Sequence, residues 1–265
     1  WSSDVCSSDL LGGPELLTVY CVGTNMPLVE CSQETFNDRT FVFSNEDLLK
    51  AFVKPYFEKK MPLKGIKFPA KDRMKYFSTL LMIHVDELVY IDHAGRHVIP
   101  LSDFVRKQDF SNVPPHKRPV ENPQLQLSGL YFVQEASRAV PAEEKEHLRE
   151  LEEELAANLV KGIYILPAEL IGEAPQAGDT GSGQFKIPMI KTPQGELFVP
   201  IFTDHMEFAK YNQNHQCKAL VVPFANLQKM LVKEAKGYMI NPNGFHIRLT
   251  EPLLKGLIQR FGVKE

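Results

Sequence analysis

Cysteine is scarce in this chain: four in 265 residues, at positions 6, 21, 31 and 217, with no Cys-x-x-Cys pair. That spacing argues against a disulfide framework and favours a reducing compartment, so a cytoplasmic setting is expected. Long apolar runs are missing as well. Leu80-Leu81-Met82-Ile83 is one of the longest, far short of a membrane span. Charge of one sign is not in excess either, with 30 basic against 33 acidic residues and a pI near 6.3. Neither nucleic acid nor a membrane is therefore expected as a partner. The start lacks a basic region followed by an apolar stretch, so no signal peptide is expected. Phosphate-cradling glycine loops and serine nucleophile elbows are lacking too. What is present, 43% hydrophobic and 24% charged residues, suits a globular protein of one large or two modest domains.

The opening stretch WSSDVCSSDL carries the single tryptophan, Trp1, and Cys6. Its ten residues translate TGG-AGT-TCA-GAC-GTG-TGC-TCT-TCC-GAT-CT(N), a sequencing-adapter string. Residues 1–10 are therefore expected to be a non-native scar and are excluded from fold reasoning. Three widely spaced thiols then remain, Cys21, Cys31 and Cys217.

Self-similarity organises the rest. Met26-Pro27-Leu28-Val29 matches Ile187-Pro188-Met189-Ile190, and Val42-Phe43-Ser44-Asn45 matches Ile201-Phe202-Thr203-Asp204. Lys64–Pro69 aligns with Lys218–Pro223 without a gap, and Asp92–His97 meets Asn241–His246. Four anchors in the same order predict two copies of one module: a first domain over 11–105, a connector over 106–141, and a second domain over 142–265.

Each copy has the same local grammar. An apolar β stretch leads to a pair of strands, Met26–Cys31 with Thr40–Ser44 and Lys186–Lys191 with Leu197–Phe202. Helix-capping residue types follow, Ser44 or Asn45 and Thr203 or Asp204, and Glu207 stands at capping-box spacing from Asp204. Lys54-Pro55 is expected to end the first helix. A short strand precedes a second helix with Met74, Phe77 and Leu81 on one face, or Leu227, Met230 and Leu231. A hairpin closes each copy. The order predicts an α+β fold, each domain a mostly antiparallel sheet with helices on one face. The connector, with Pro114-Pro115 and Asn122-Pro123, reads as extended. The following AEEKEHLRELEEELAANLVKG reads as a helix with an apolar stripe of Leu148, Leu151, Leu155 and Leu159.

ELFVPIFTDHMEFAKY, ALVVPF and KGYMINPNGFHI together resemble the enhanced serine sensitivity (SseB) family, in its N-terminal domain. The motifs fall at Val199–Thr203, Leu220–Pro223 and Gly237–Pro242. The first copy matches less well, because Ser44 replaces the threonine and Asp92-His93 replaces Asn-Pro. The resemblance implies an intracellular bacterial α+β protein and brings no catalytic residues.

Three motifs tempt a chemical reading. Asp179-Thr180-Gly181-Ser182 spells an aspartic-protease signature, but it sits in a glycine-rich loop and has no second copy to share a proton with. His93 and His97 have i, i+4 spacing, which converges on a metal only in a helix, and here it falls on a hairpin. Cys217, between His215 and Lys218, has neighbours that could activate a thiolate, yet its counterpart in the first copy is Leu63, an apolar strand residue. No catalytic residue, cofactor or metal ligand is therefore assigned. The expected function is a non-catalytic binding or regulatory protein whose partner is a protein or small metabolite. The alternative is an enzyme of serine-related amino-acid metabolism, which requires a pocket of convergent titratable groups. The candidate interaction surface is Ser44, Asn45, Thr203, Asp204, His97, His246, Asn241 and Asn243, expected to be exposed, with His97 and His246 in equivalent positions.

Overall fold

The computed structural model describes residues 12, 15–114, 117–171 and 184–263. The adapter-like residues 1–10 and the Asp179 motif lie outside them. The chain divides into two compact units, one built from residues up to Pro114 plus Gln126–Glu152, the other from the remainder.

In the first unit, β1 (Glu15–Cys21) is hydrogen-bonded on both sides. Strands β2 (Met26–Pro27), β3 (Glu30–Cys31) and β4 (Asp38–Phe43) follow it. The helix α1 (Glu46–Glu58) leads to β5 (Leu63–Pro69), and α2 (Arg73–Met82) to the hairpin β6 (Glu87–Ile91) and β7 (Arg96–Pro100). The sheet order is β2-β1-β4-β6-β7, with β3 on β4 and β5 on β1. Among the described strands of this unit only β4 and β6 run parallel, and the stretch from α1 to α2 between them supplies the crossover that parallel pairing needs.

Alternation along β1 sends side chains to two buried layers. Leu17, Val19 and Cys21 meet Phe41, Phe43, Val89 and Ile91, covered by Leu48, Leu49, Phe52 and Val53 of α1. Thr18 lies on the opposite face, where its hydroxyl is 2.9 Å from the Tyr76 hydroxyl of α2. Burial pushes the Tyr76 phenol up to about 12. The expectation of helices on one face is thus corrected: α1 and α2 take opposite faces. The predicted face of α2 is also rotated, because Arg73, Tyr76, Phe77 and Leu80 are buried while Met74 is 48% exposed.

Pro55 does not end α1, which continues through Glu58. A proline in the last turn removes one hydrogen bond, but Tyr56 still packs against Phe52 with ring centroids 5.2 Å apart and donates a hydrogen bond from its hydroxyl to Glu30. Tertiary packing outweighs the local signal there. Two helix ends use left-handed residues with a side chain, Lys60 (φ 58°) and His84 (φ 63°). Both close the six-to-one bond of a glycine-type cap, Met61 N–H to Tyr56 O and Val85 N–H to Leu80 O. Lys60→Gly should raise stability by about 0.5–1 kcal/mol, read as a shift of the urea midpoint.

The predicted extended connector contains a helix, α3 (Pro123–Ala136), with Leu125, Gln126, Ser128, Leu130 and Gln134 buried. Asn-Pro therefore marks a helix start, with proline at the first helical position. The acidic helix α4 is shorter than expected, Leu148–Leu159, and buries Leu155, Ala156 and Leu159.

The second unit contains β8 (Ile163–Ile171), β9 (Gln184–Lys186), β10 (Ile190–Lys191), β11 (Leu197–Ile201) and α5 (His205–Tyr211). It continues with β12 (Cys217–Pro223), α6 (Leu227–Met230), β13 (Gly237–Ile240), β14 (Ile247–Thr250) and α7 (Glu251–Phe261). Strand β12 pairs antiparallel with β8, β11 runs parallel to β13, and β13 pairs antiparallel with β14. An antiparallel bridge joins Ile165 to Phe202. The fold is α+β, as the sequence implies.

Candidate functional site

The polar residues of the resemblance meet where the parallel strands β11 and β13 end. Thr203 and Asp204 follow β11, and Asn241 follows β13. All three are buried, at 0%, 2% and 0% exposure. Their expected place on the surface is therefore corrected.

Burial is tolerated because each group finds a partner. The Asn241 side chain accepts from the Thr203 backbone N–H at 3.0 Å and donates to the Thr203 hydroxyl at 2.7 Å. That hydroxyl donates to Asp204 Oδ2 at 2.9 Å. Asp204 Oδ1 caps α5, accepting from the N–H groups of Met206 and Glu207, both at 2.8 Å. The chain of bonds ties the end of one parallel strand to its neighbour and to the helix start. Asn241 takes φ 47°, a left-handed conformation that asparagine tolerates better than most residues with a side chain.

Two residues that sequence reasoning passed over belong to the same knot. Asn122, read as connector, donates to Ile163 O and Thr203 O at 2.7 and 2.6 Å and accepts from Ile163 N–H at 3.1 Å. Its only sequence signal was the Asn-Pro dipeptide. Glu207, noticed only for its spacing, is 1% exposed. Its Oε1 receives the Lys210 ammonium, whereas its buried Oε2 has no hydrogen-bond partner among the described residues. Gly244 makes room for that oxygen, since a Cβ there would stand 2.8 Å from it.

Burial, opposed by Lys210 and assisted by Asp204, raises the Glu207 carboxyl above the ordinary carboxylate range. A raised folded-state value means the fold prefers the proton. This contribution to stability is full below the unfolded-state pKa and is lost as pH rises through the folded one. Glu207→Gln should therefore stabilise the protein at neutral pH, on the order of 1 kcal/mol, and flatten that part of the pH dependence. Lys210 is partly solvent-exposed and is not stranded by the change. Thermal unfolding at several pH values checks this; a destabilised variant at pH 7 would contradict it.

The corresponding residues of the first unit are placed differently. Asn45 is the cap of α1, accepting from Asp47 and Leu48 N–H at 3.1 and 3.0 Å. Its amide lies 3.1 Å from His93 Nε2, and Ser44 is exposed. Asp92 accepts from Ala94 and Gly95 N–H and stands 3.1 Å from His97 Nε2. Burial pushes the Asp92 carboxyl up, but the hydrogen bonds from His97, Ala94 and Gly95 together outweigh it and hold its pKa below the ordinary value. His93 and His97 are thus engaged by different partners. Asn243 is exposed and donates to Lys210 O at 3.1 Å.

His97 and His246 do not occupy equivalent positions. His97 lies inside β7, opposite Tyr90, whereas His246 precedes β14 at φ 38° and bonds back to Asn241 O. The turns place the two imidazoles at different registers. Cys217 opens β12 and packs partly against Phe202 and Ile165, as its apolar counterpart Leu63 suggested. Burial, with Glu169 nearby, pushes its thiol up. Among the described residues there is no cluster of three or more His, Cys, Asp or Glu side chains placed to hold a metal. None of the described helices is long and apolar enough to cross a membrane.

Residues 135–255 match the family model described as the SseB protein N-terminal domain. No curated protein matches the chain. Among solved structures, Anabaena Tic22 (protein transport) aligns over 100% of this chain and 99% of its own at 10% identity. Its TM-score is 0.22, too low to carry an argument.

Proposed function

Because residues 135–255 match the SseB N-terminal domain model, we propose that the chain is a non-catalytic cytoplasmic protein that binds a protein partner or small metabolite through two copies of one module. The duplication is supported by matching pairings. In both units the first long strand pairs antiparallel with the strand that comes after the next helix along the chain, β1 with β5 beyond α1 and β8 with β12 beyond α5. A parallel pair and a hairpin follow in both. The observation that carries a non-catalytic role is the use made of the motif residues. Thr203, Asp204 and Asn241 spend their polar atoms on one another and on backbone, which suits a structural duty.

Incubating the purified chain with metabolite and protein extracts of its source cell, then identifying what is retained and what is consumed, tests the reading. Retention of a compound or protein chemically unchanged is the expected result. A product that forms only with the chain, and is lost in a point variant, would overturn it.

A further inference from the structure

The geometry points to an interface between two copies of this chain, in which β12 pairs antiparallel with β12 of the other copy about a twofold axis at Leu220. Among the described residues β12 pairs with β8 alone. The bond from Phe224 N–H to Gly162 O extends the β8–β12 register, so bonded pairs recur at Val222, Leu220 and Lys218. The backbone groups of Ala219 and Val221 therefore face away from β8, with the Pro223 carbonyl beside them, while Cys217 at the strand start already donates its N–H to Asn212 Oδ1 at 3.0 Å and accepts from Asn212 Nδ2 at 2.8 Å. This is a ready edge for another strand.

The first unit shows what a guarded edge looks like. The corresponding strand β5 places Lys67 at its fifth residue, with ion pairs to Glu46 at 2.5 Å and Glu15 at 4.0 Å. Lysine on an edge discourages strand addition. The fifth residue of β12 is Val221, 59% exposed, and its neighbour Ala219 is exposed too. The one charge in β12, Lys218, lies 5.9 Å over the Phe185 ring.

A second copy fits this edge because the strand is self-complementary. With Leu220 facing Leu220, Ala219 of one copy stands opposite Val221 of the other, and Lys218 opposite Val222. No like charges oppose one another. The missing donor of Pro223 falls at the end of the ladder, opposite Cys217, whose backbone groups are already bonded to Asn212, so the ladder rests on Ala219 and Val221 of each copy.

Light scattering of the full chain over a micromolar concentration series tests the interface. The wild type should dimerise, and Val221→Lys should weaken the dimer by about tenfold or more while leaving the circular dichroism spectrum unchanged. In Leu220→Cys, the twofold pair would lie about 4.5 Å apart between Cα atoms, within disulfide reach. Mild oxidation should link that variant covalently well beyond the background of the wild-type thiols. A wild type that stays monomeric, a dimer that Val221→Lys leaves intact, or a Leu220→Cys chain that does not cross-link would each overturn the proposal.

Discussion

Gly237→Ala is expected to be among the most damaging single substitutions in the second unit, with a loss on the order of 4 kcal/mol. Gly237 opens β13 opposite Thr250 at φ 153°, which side-chain-bearing residues rarely adopt. A Cβ would also stand 2.2 Å from Leu249 O and 2.7 Å from Thr250 Cα, and both are backbone atoms. Neither can move without breaking the hairpin or the start of α7. Urea unfolding followed by circular dichroism measures the effect. A loss under about 1 kcal/mol would show that β14 shifts freely, contrary to its packing through the buried Leu249.

Asn241→Ala should cost about 3 kcal/mol. It removes two hydrogen bonds, strands the buried Thr203 N–H, and leaves alanine at φ 47°. Asn241→Gly loses the same bonds but tolerates the backbone, so it should fall about 1 kcal/mol short of the alanine loss. Comparing the two separates side-chain from backbone contributions. Equal losses would mean that the left-handed conformation carries no cost there. Similar stability to wild type in both would dismiss the knot as a stabilising element.

Much of the secondary structure was legible because its signals are local. Asn45 and Asp204 cap helices as their residue types suggested, and β5 and β12 begin at the aligned Leu63 and Cys217. The misreadings came where distant contacts outvoted a local rule. Pro55 was overruled by Tyr56 packing, and the buried face of α2 was set by the sheet beneath Tyr76. The polar site was half legible: its members stood out, but their burial did not. A threonine or asparagine in a sequence looks the same whether its partner is water or another strand end, and Asn122 lies 81 residues from the Thr203 carbonyl it binds.

The amino-acid order by itself determined the α+β class, the succession of strands and helices, and the family resemblance, because periodicity, caps and turn residues act over a few neighbours. Tertiary structure decided which groups are satisfied and which remain open. It turned Thr203, Asp204 and Asn241 inward, left Glu207 Oε2 without a hydrogen-bond partner among the described residues, and exposed the outer edge of β12. Those outcomes depend on hydrogen bonds and packing between segments that only the folded chain brings together.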